Sequence, residues 1–166
     1  MGYTFRIGNA RLRYYKGDEN ISIEAEAATH PNAPAHDKYV GISNSRSPSY
    51  GAWDDFCTEA GIHELFYGQG WSRDDRRNLP CSEGFHREEP LIANHPGAVP
   101  LLPADLDYVR AARLRREQTN SGRPPGFWEE EGVDNGNDHV LARLLWLEFW
   151  IEWALKHCEM PIIENS

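Results

Sequence analysis

The stretch RLRYYKGDENISIEAEA, residues 11–27, decides how the chain is read. Leu12 and Tyr14 alternate with Arg11 and Arg13, and beyond Gly17-Asp18-Glu19-Asn20 the residues Ile21, Ile23, Ala25 and Ala27 share one face. Alternation on both sides of a polar, glycine-containing turn is the pattern of a β-hairpin. A four-residue loop sets Arg13 opposite Glu24, Arg11 opposite Glu26, Tyr14 opposite Ile23 and Leu12 opposite Ala25, so charge and apolarity select the same register. Upstream, Tyr3, Phe5 and Ile7 alternate with Thr4 and Arg6, and Gly8-Asn9 closes that first strand. An N-terminal antiparallel sheet of about three strands is expected.

The period then changes. After an irregular, proline-rich connection, Trp53, Phe56, Cys57 and Ala60 recur at helical spacing, with Ser47 and Pro48 placed to start a helix and Gly61-Ile62 to end it in a Schellman turn. A second helix begins at Pro103 with Leu102, Leu106 and Val109 on one stripe, and Arg110, Arg113, Arg115 and Arg116 near its C-terminal end. The last runs from Asn137 or Asp138 to about Cys158, before Pro161. The expected fold is α+β in one domain, residues 1–166: the sheet packed against three main helices near 49–60, 103–117 and 138–158, with long irregular loops. Residues 68–103, charged at Arg73-Asp74-Asp75-Arg76-Arg77 and punctuated by Gly and Pro, read as a surface excursion.

Composition bounds the function. The chain has 166 residues and a net charge of -9, which disfavours non-specific nucleic-acid binding. The acidity concentrates at -7 in residues 128–166, so an acidic surface is expected there. Three cysteines, Cys57, Cys81 and Cys158, form no CxxC pair, which argues against a disulfide framework or a zinc ribbon and for a reducing cytoplasm. The N-terminus lacks the apolar run of a signal peptide, and residues 140–158 carry Arg143, Glu148, Glu152 and Lys156, too many charges for a membrane span.

Two constellations could carry chemistry. On a helical wheel centred at Leu141, Glu148 and Glu152 fall inside the apolar arc with Leu144, Leu145 and Leu155, one turn apart. Buried carboxylates need arginine, backbone donors, a metal or a shared proton, so the pair reads either as an anchor or as acid-base or metal-binding groups. Ser43, Asn44, Ser45, Arg46 and Ser47, continuing through Pro48 to Ser49, put hydroxyls, an amide and a guanidinium before a helix N-terminus, a candidate anion site. Joining the two, Arg46 or the N-H groups of this loop are the expected partners of the carboxylates. Trp146, Trp150, Trp153 and His157 form a second stripe, read as core packing. Seven histidines include His30, His36-Asp37, His63-Glu64, His86 and His95, yet none has a metal-ligand spacing such as HExxH, so neither a metal nor a cofactor is expected.

At NSRSPSY (44–50), WDDFCTEAGIHELF (53–66), His95-Pro96-Gly97 and ARLLWLEFWIEWALKHCEMPIIENS (142–166), the sequence resembles a set of small uncharacterised proteins encoded by bacteriophages and some bacterial genomes. The resemblance covers about half the chain, and residues 68–94 are longer than the matching region of that set. It implies a phage or prophage setting and assigns no activity, cofactor or catalytic residue. The function expected is that of a small cytoplasmic accessory protein that binds a host protein or a small anionic ligand. The alternative is a small hydrolase or transferase with Glu148 and Glu152 as its working carboxylates and an anion held at residues 43–49.

Overall fold

The computed structural model describes residues 1–14, 16–17, 20–34, 42–68, 87, 89–92, 95–126 and 134–166. The Arg73–Arg77 charge run, His36-Asp37, His86, Cys81 and the three glutamates at 129–131 lie outside the described residues. In chain order the described elements are β1 (Phe5–Tyr14), β2 (Ile21–Ala25), β3 (Ser45–Arg46), α1 (Tyr50–Ala60), α2 (His63–Tyr67), β4 (Gly97–Pro100), α3 (Pro103–Thr119), α4 (His139–His157) and β5 (Pro161–Asn165). The fold is α+β, with five strands and four helices among these residues where about three and three were expected. No helix among the described residues is long and apolar enough to cross a membrane.

Sheet order is β2-β1-β5-β4, every pair antiparallel, with β3 also on β1. Gly8-Asn9 does not end a strand. Instead β1 runs through it and changes its apolar side: Phe5 and Ile7 point into the core, whereas Leu12 and Tyr14, an odd number of residues later, point to the opposite face. That change of phase is what makes one strand look like two. Gly8 marks the crossover, where a Cβ would come within 2.8 Å of the Glu26 carbonyl oxygen and 3.2 Å of Asn44 Nδ2. Here the sheet curls, so that Ala25 N donates to Glu164 Oε2 at 2.8 Å and Arg6 reaches the Ala25 carbonyl.

The hairpin forms, but two residues out of the expected register: Arg11 pairs with Glu24, Leu12 with Ile23 and Tyr14 with Ile21. A two-residue slip keeps every side chain on its face. It also lets one carboxylate serve two guanidiniums, since Glu24 lies 3.0 Å from Arg13 and 3.7 Å from Arg11.

Helix α1 starts one cap later than expected: Ser49, not Ser47, accepts the Ala52 N-H at 3.2 Å. Its end is the Schellman turn read from Gly61-Ile62, with Ile62 N donating to the Cys57 carbonyl at 2.9 Å. Asp138 caps α4 by accepting from Leu141 N at 3.0 Å. The core gathers Phe5, Ile7 and Ile163 from the sheet, Trp53, Phe56 and Phe66 from α1 and α2, and Leu144, Trp146, Leu147 and Trp150 from α4.

Part of the stretch at 68–103 that reads as a surface excursion belongs to the core. Leu91, Val99 and Leu101 are buried, and Gly97–Pro100 forms β4. Arg87 fastens the re-entry with bonds to Asp105 at 2.6 and 2.8 Å and to the Pro100 and Glu89 carbonyls. Burial holds the Asp105 carboxyl above its usual range even so.

Candidate binding surface

The segment at residues 43–49 is a strand edge with its polar groups turned to the fold. Asn44, fully buried, donates through Nδ2 to the Ile7 and Glu26 carbonyls, both at 2.8 Å, and accepts from Ala28 N at 2.9 Å. Its amide fills the gap where β2 leaves β1 and β3 begins. Ser43 Oγ accepts from Ser45 N, Ser45 Oγ accepts from Arg6 Nε, and Ser47 Oγ donates to Thr4 Oγ1 at 3.5 Å. Arg46 is buried, its guanidinium 5.4 Å from the ring centroids of both Trp53 and Trp146. The residues singled out as an anion loop thus work as strand, amide plug and cation-π clamp.

Glu148 and Glu152 do not meet this segment. Glu148 receives Arg113 Nε at 2.5 Å and Nη2 at 3.2 Å, and Arg110 Nε at 3.3 Å. Glu152 pairs with Lys156 at 2.6 Å and Arg110 at 3.2 Å, and the lysine bond leads the effects that hold its carboxyl below the usual range. The ladder continues through Arg116, bonded to Asp138 at 2.7 Å and near Glu59 at 3.3 Å. The arginines crowded on α3 are the carboxylates' partners, and α4 touches the 43–49 segment elsewhere, where Trp146 Nε1 donates to the Ser43 carbonyl at 3.0 Å. The wheel was centred too far round: the buried arc of α4 runs through Leu144, Leu147, Ile151 and Ala154, leaving Glu148 at its border and Glu152 a third exposed. A charge that also borders the arc is Arg143, half-buried and 5.6 Å from the Phe56 ring centroid.

Two polar chains not foreseen as units cross the α1 side of the sheet. Tyr50 OH lies 3.1 Å from His95 Nε2, and His95 Nδ1 bonds Asn165, tying α1 to β4 and β5. Buried His63 bonds Asp54 at 3.0 Å and stacks on Tyr67 at 4.5 Å. No group of His, Cys, Asp and Glu fit to hold a metal is present among the described residues. Cys57 and Cys158 are free thiols, Cys57 buried and Cys158 half-buried, and burial raises both.

What sequence reasoning missed is the exposure of the hairpin itself. Leu12, Tyr14, Ile21 and Ile23 form two directly opposed apolar pairs on one face of β1 and β2, and they are 58, 70, 55 and 52 % exposed. The other face carries Arg11, Arg13, Ser22 and Glu24. These four side chains make one contiguous exposed apolar patch on the paired strands β1 and β2. The signal was present as alternation; what alternation cannot say is whether anything packs above it. No family model, curated protein or solved structure matches this chain.

Proposed function

We propose that this protein acts by binding, without turnover, and that its working surface is the apolar face of the hairpin arm, which engages a protein. The observation that carries the reading is the four-residue cluster Leu12, Tyr14, Ile21 and Ile23, more than half exposed on paired strands. Burying such a face gives about 25 cal/mol per Å² of apolar area, a driving force for which a small anion has no use. Of the two ligand classes, a protein is therefore favoured over a small anion, because Ser43, Asn44 and Ser45 bond within the fold and Arg46 is buried against the Trp53 and Trp146 rings. The setting, a phage or prophage accessory factor in the host cytoplasm, rests on the resemblance at residues 44–50, 53–66 and 142–166. Turnover by Glu148 and Glu152 draws no support from their geometry, because arginine or lysine occupies both.

The test is affinity capture from bacterial host lysate with the wild type and with Leu12→Ser/Ile23→Ser, followed by binding of the purified candidate. A protein retained by the wild type and lost by the folded variant supports the reading. Equal retention by both, or a co-purifying small anion as the only partner in native mass spectrometry, overturns it.

A further inference from the structure

The arm has an edge as well as a face, and the hydrogen-bond phase of the ladder shows which groups line it. Glu26 N donates to the Asn9 carbonyl, so Asn9–Glu26, Arg11–Glu24 and Arg13–Ser22 are the hydrogen-bonded pairs, and Leu12–Ile23 and Tyr14–Ile21 are the non-hydrogen-bonded ones. The backbone groups of Ile21, Ile23 and Ala25 therefore point away from β1. Ala25 fits this phase, its N-H meeting Glu164 and its carbonyl meeting Arg6. Beyond it, Ile21 and Ile23 carry no partner among the described residues, and β2 has no proline in the paired segment. Its one charge, Glu24, is neutralised by Arg13 and Arg11. An apolar edge strand without these protections is a template for another strand.

We propose that the β2 edge pairs antiparallel with β2 of a second copy about a two-fold axis at Ser22. In that register Ile21 and Ile23 of each copy exchange backbone hydrogen bonds with Ile23 and Ile21 of the other. Ser22 then faces its own copy in a non-hydrogen-bonded pair, where side chains lie closest. Its Oγ, which lacks a hydrogen-bond partner among the described residues, would turn to its counterpart there. Charge selects this edge over the opposite one. Along the free edge of β1, two-fold pairings centred on Leu12 or Arg13 set arginine against arginine, whereas centred on Ser22 of β2 Glu24 falls opposite Asn20 and no like charges meet within the strand. An isologous contact also closes on itself, which a β1-to-β2 contact between copies does not. The arm alone buries less than the roughly 1,200–2,000 Å² of a stable interface, so the dimer is weak and concentration-dependent. Edge pairing leaves the apolar face open and doubles it into one four-stranded platform, so this inference stands apart from the partner reading.

Sedimentation equilibrium of the purified chain, from about micromolar to millimolar concentration, should show a monomer-dimer equilibrium. Ile23→Pro removes an outward N-H that β1 does not use, and should raise the dimer Kd at least ~tenfold with an unchanged circular dichroism spectrum. Register is read separately. With Cys81 and Cys158 replaced by Ser, Ser22→Cys should form a disulfide-linked dimer under mild oxidation much faster than Leu12→Cys, which lies off the axis. A monomer at every concentration overturns the proposal. So does a dimer unaffected by a folded Ile23→Pro variant, or crosslinking of Ser22→Cys no faster than that of Leu12→Cys.

Discussion

Phe5 and Ile7 at the start of β1 are sealed from water, whereas Leu12 and Tyr14, later in the same strand, stand more than half exposed. Both halves alternate with period two, and both are paired to a neighbouring strand. They differ in what lies above them. The first half is flanked by β3 and β5 and roofed by Trp53 and Phe66, while the second is paired with β2 alone and its apolar face is open to solvent. Alternation thus establishes strand and face, and burial is decided by residues far away in sequence.

The sharpest way to break this comparison is to truncate one apolar residue in each half. Phe5→Ala should cost about 3–5 kcal/mol in denaturant unfolding, because it opens a cavity among packed aromatics. If Phe5→Ala costs no more than Leu12→Ala, the two halves are not different. Next in size is Asn44→Ala, which strips partners from Ala28 N and from the Ile7 and Glu26 carbonyls at the joint between the halves. A loss of about 3 kcal/mol or more is expected, together with faster hydrogen exchange at Ala28.

Smaller still is the seam between α3 and α4. A double-mutant cycle on Glu148→Gln and Arg113→Ala should give a coupling of about 1–2 kcal/mol, while Glu148→Gln and Arg46→Ala should add to within about 0.5 kcal/mol. Reversal of those two results would return Glu148 to the 43–49 segment. Acid titration tests the same seam at the α4 cap. Burial alone would raise the Asp138 carboxyl, but the bonds from Arg116 and Leu141 N outweigh it and hold the group below its ordinary value. A depressed acid stabilises the fold above its unfolded pKa, about 3.9, and loses that contribution as pH falls through its folded value. The stability difference between the wild type and Asp138→Asn should therefore be constant above about pH 5 and shrink below about pH 4. A difference independent of pH to the point of unfolding would remove Asp138 from the account. The smallest effect belongs to the arm: Leu12→Ser and Ile23→Ser should each change stability by no more than about 0.5 kcal/mol. A larger loss would mean that this face is covered in the native fold.

Much of the architecture is legible in the residues. The Schellman turn at Gly61-Ile62, Pro103 at the start of α3 and the long α4 ahead of Pro161 are local signals, and each sits where the pattern puts it. The hairpin is legible in its faces and not in its register, because a slip of two leaves the pattern intact and only the competition of Arg11 and Arg13 for Glu24 settles it. β4 and β5 are hard to read because each is short and contains a proline, and they become strands only in place, β5 by lying against β1 and β4 by lying against β5. The carboxylates on α4 were visible as needing partners. Which arginines answer is a matter of how α3 packs, and the place of Arg110 and Arg113 near the end of that helix does not show which way they reach.

The position of β5 between β1 and β4 has a consequence for how the chain is made. Phe5 pairs with Asn165, and Thr4 and Ser166 exchange backbone hydrogen bonds at 2.8 and 3.1 Å, so the middle of the sheet joins segments about as far apart in sequence as this chain allows. During synthesis β1 is made long before β5 and waits without that neighbour until the closing strand leaves the ribosome. Such late closure belongs to slow, non-local folding, and the growing chain is most exposed to aggregation and proteolysis while it waits. A ribosome stalled short of residue 161 would hold every described buried apolar residue except Ile162 and Ile163, yet β1 and β4 would lack the strand that joins them.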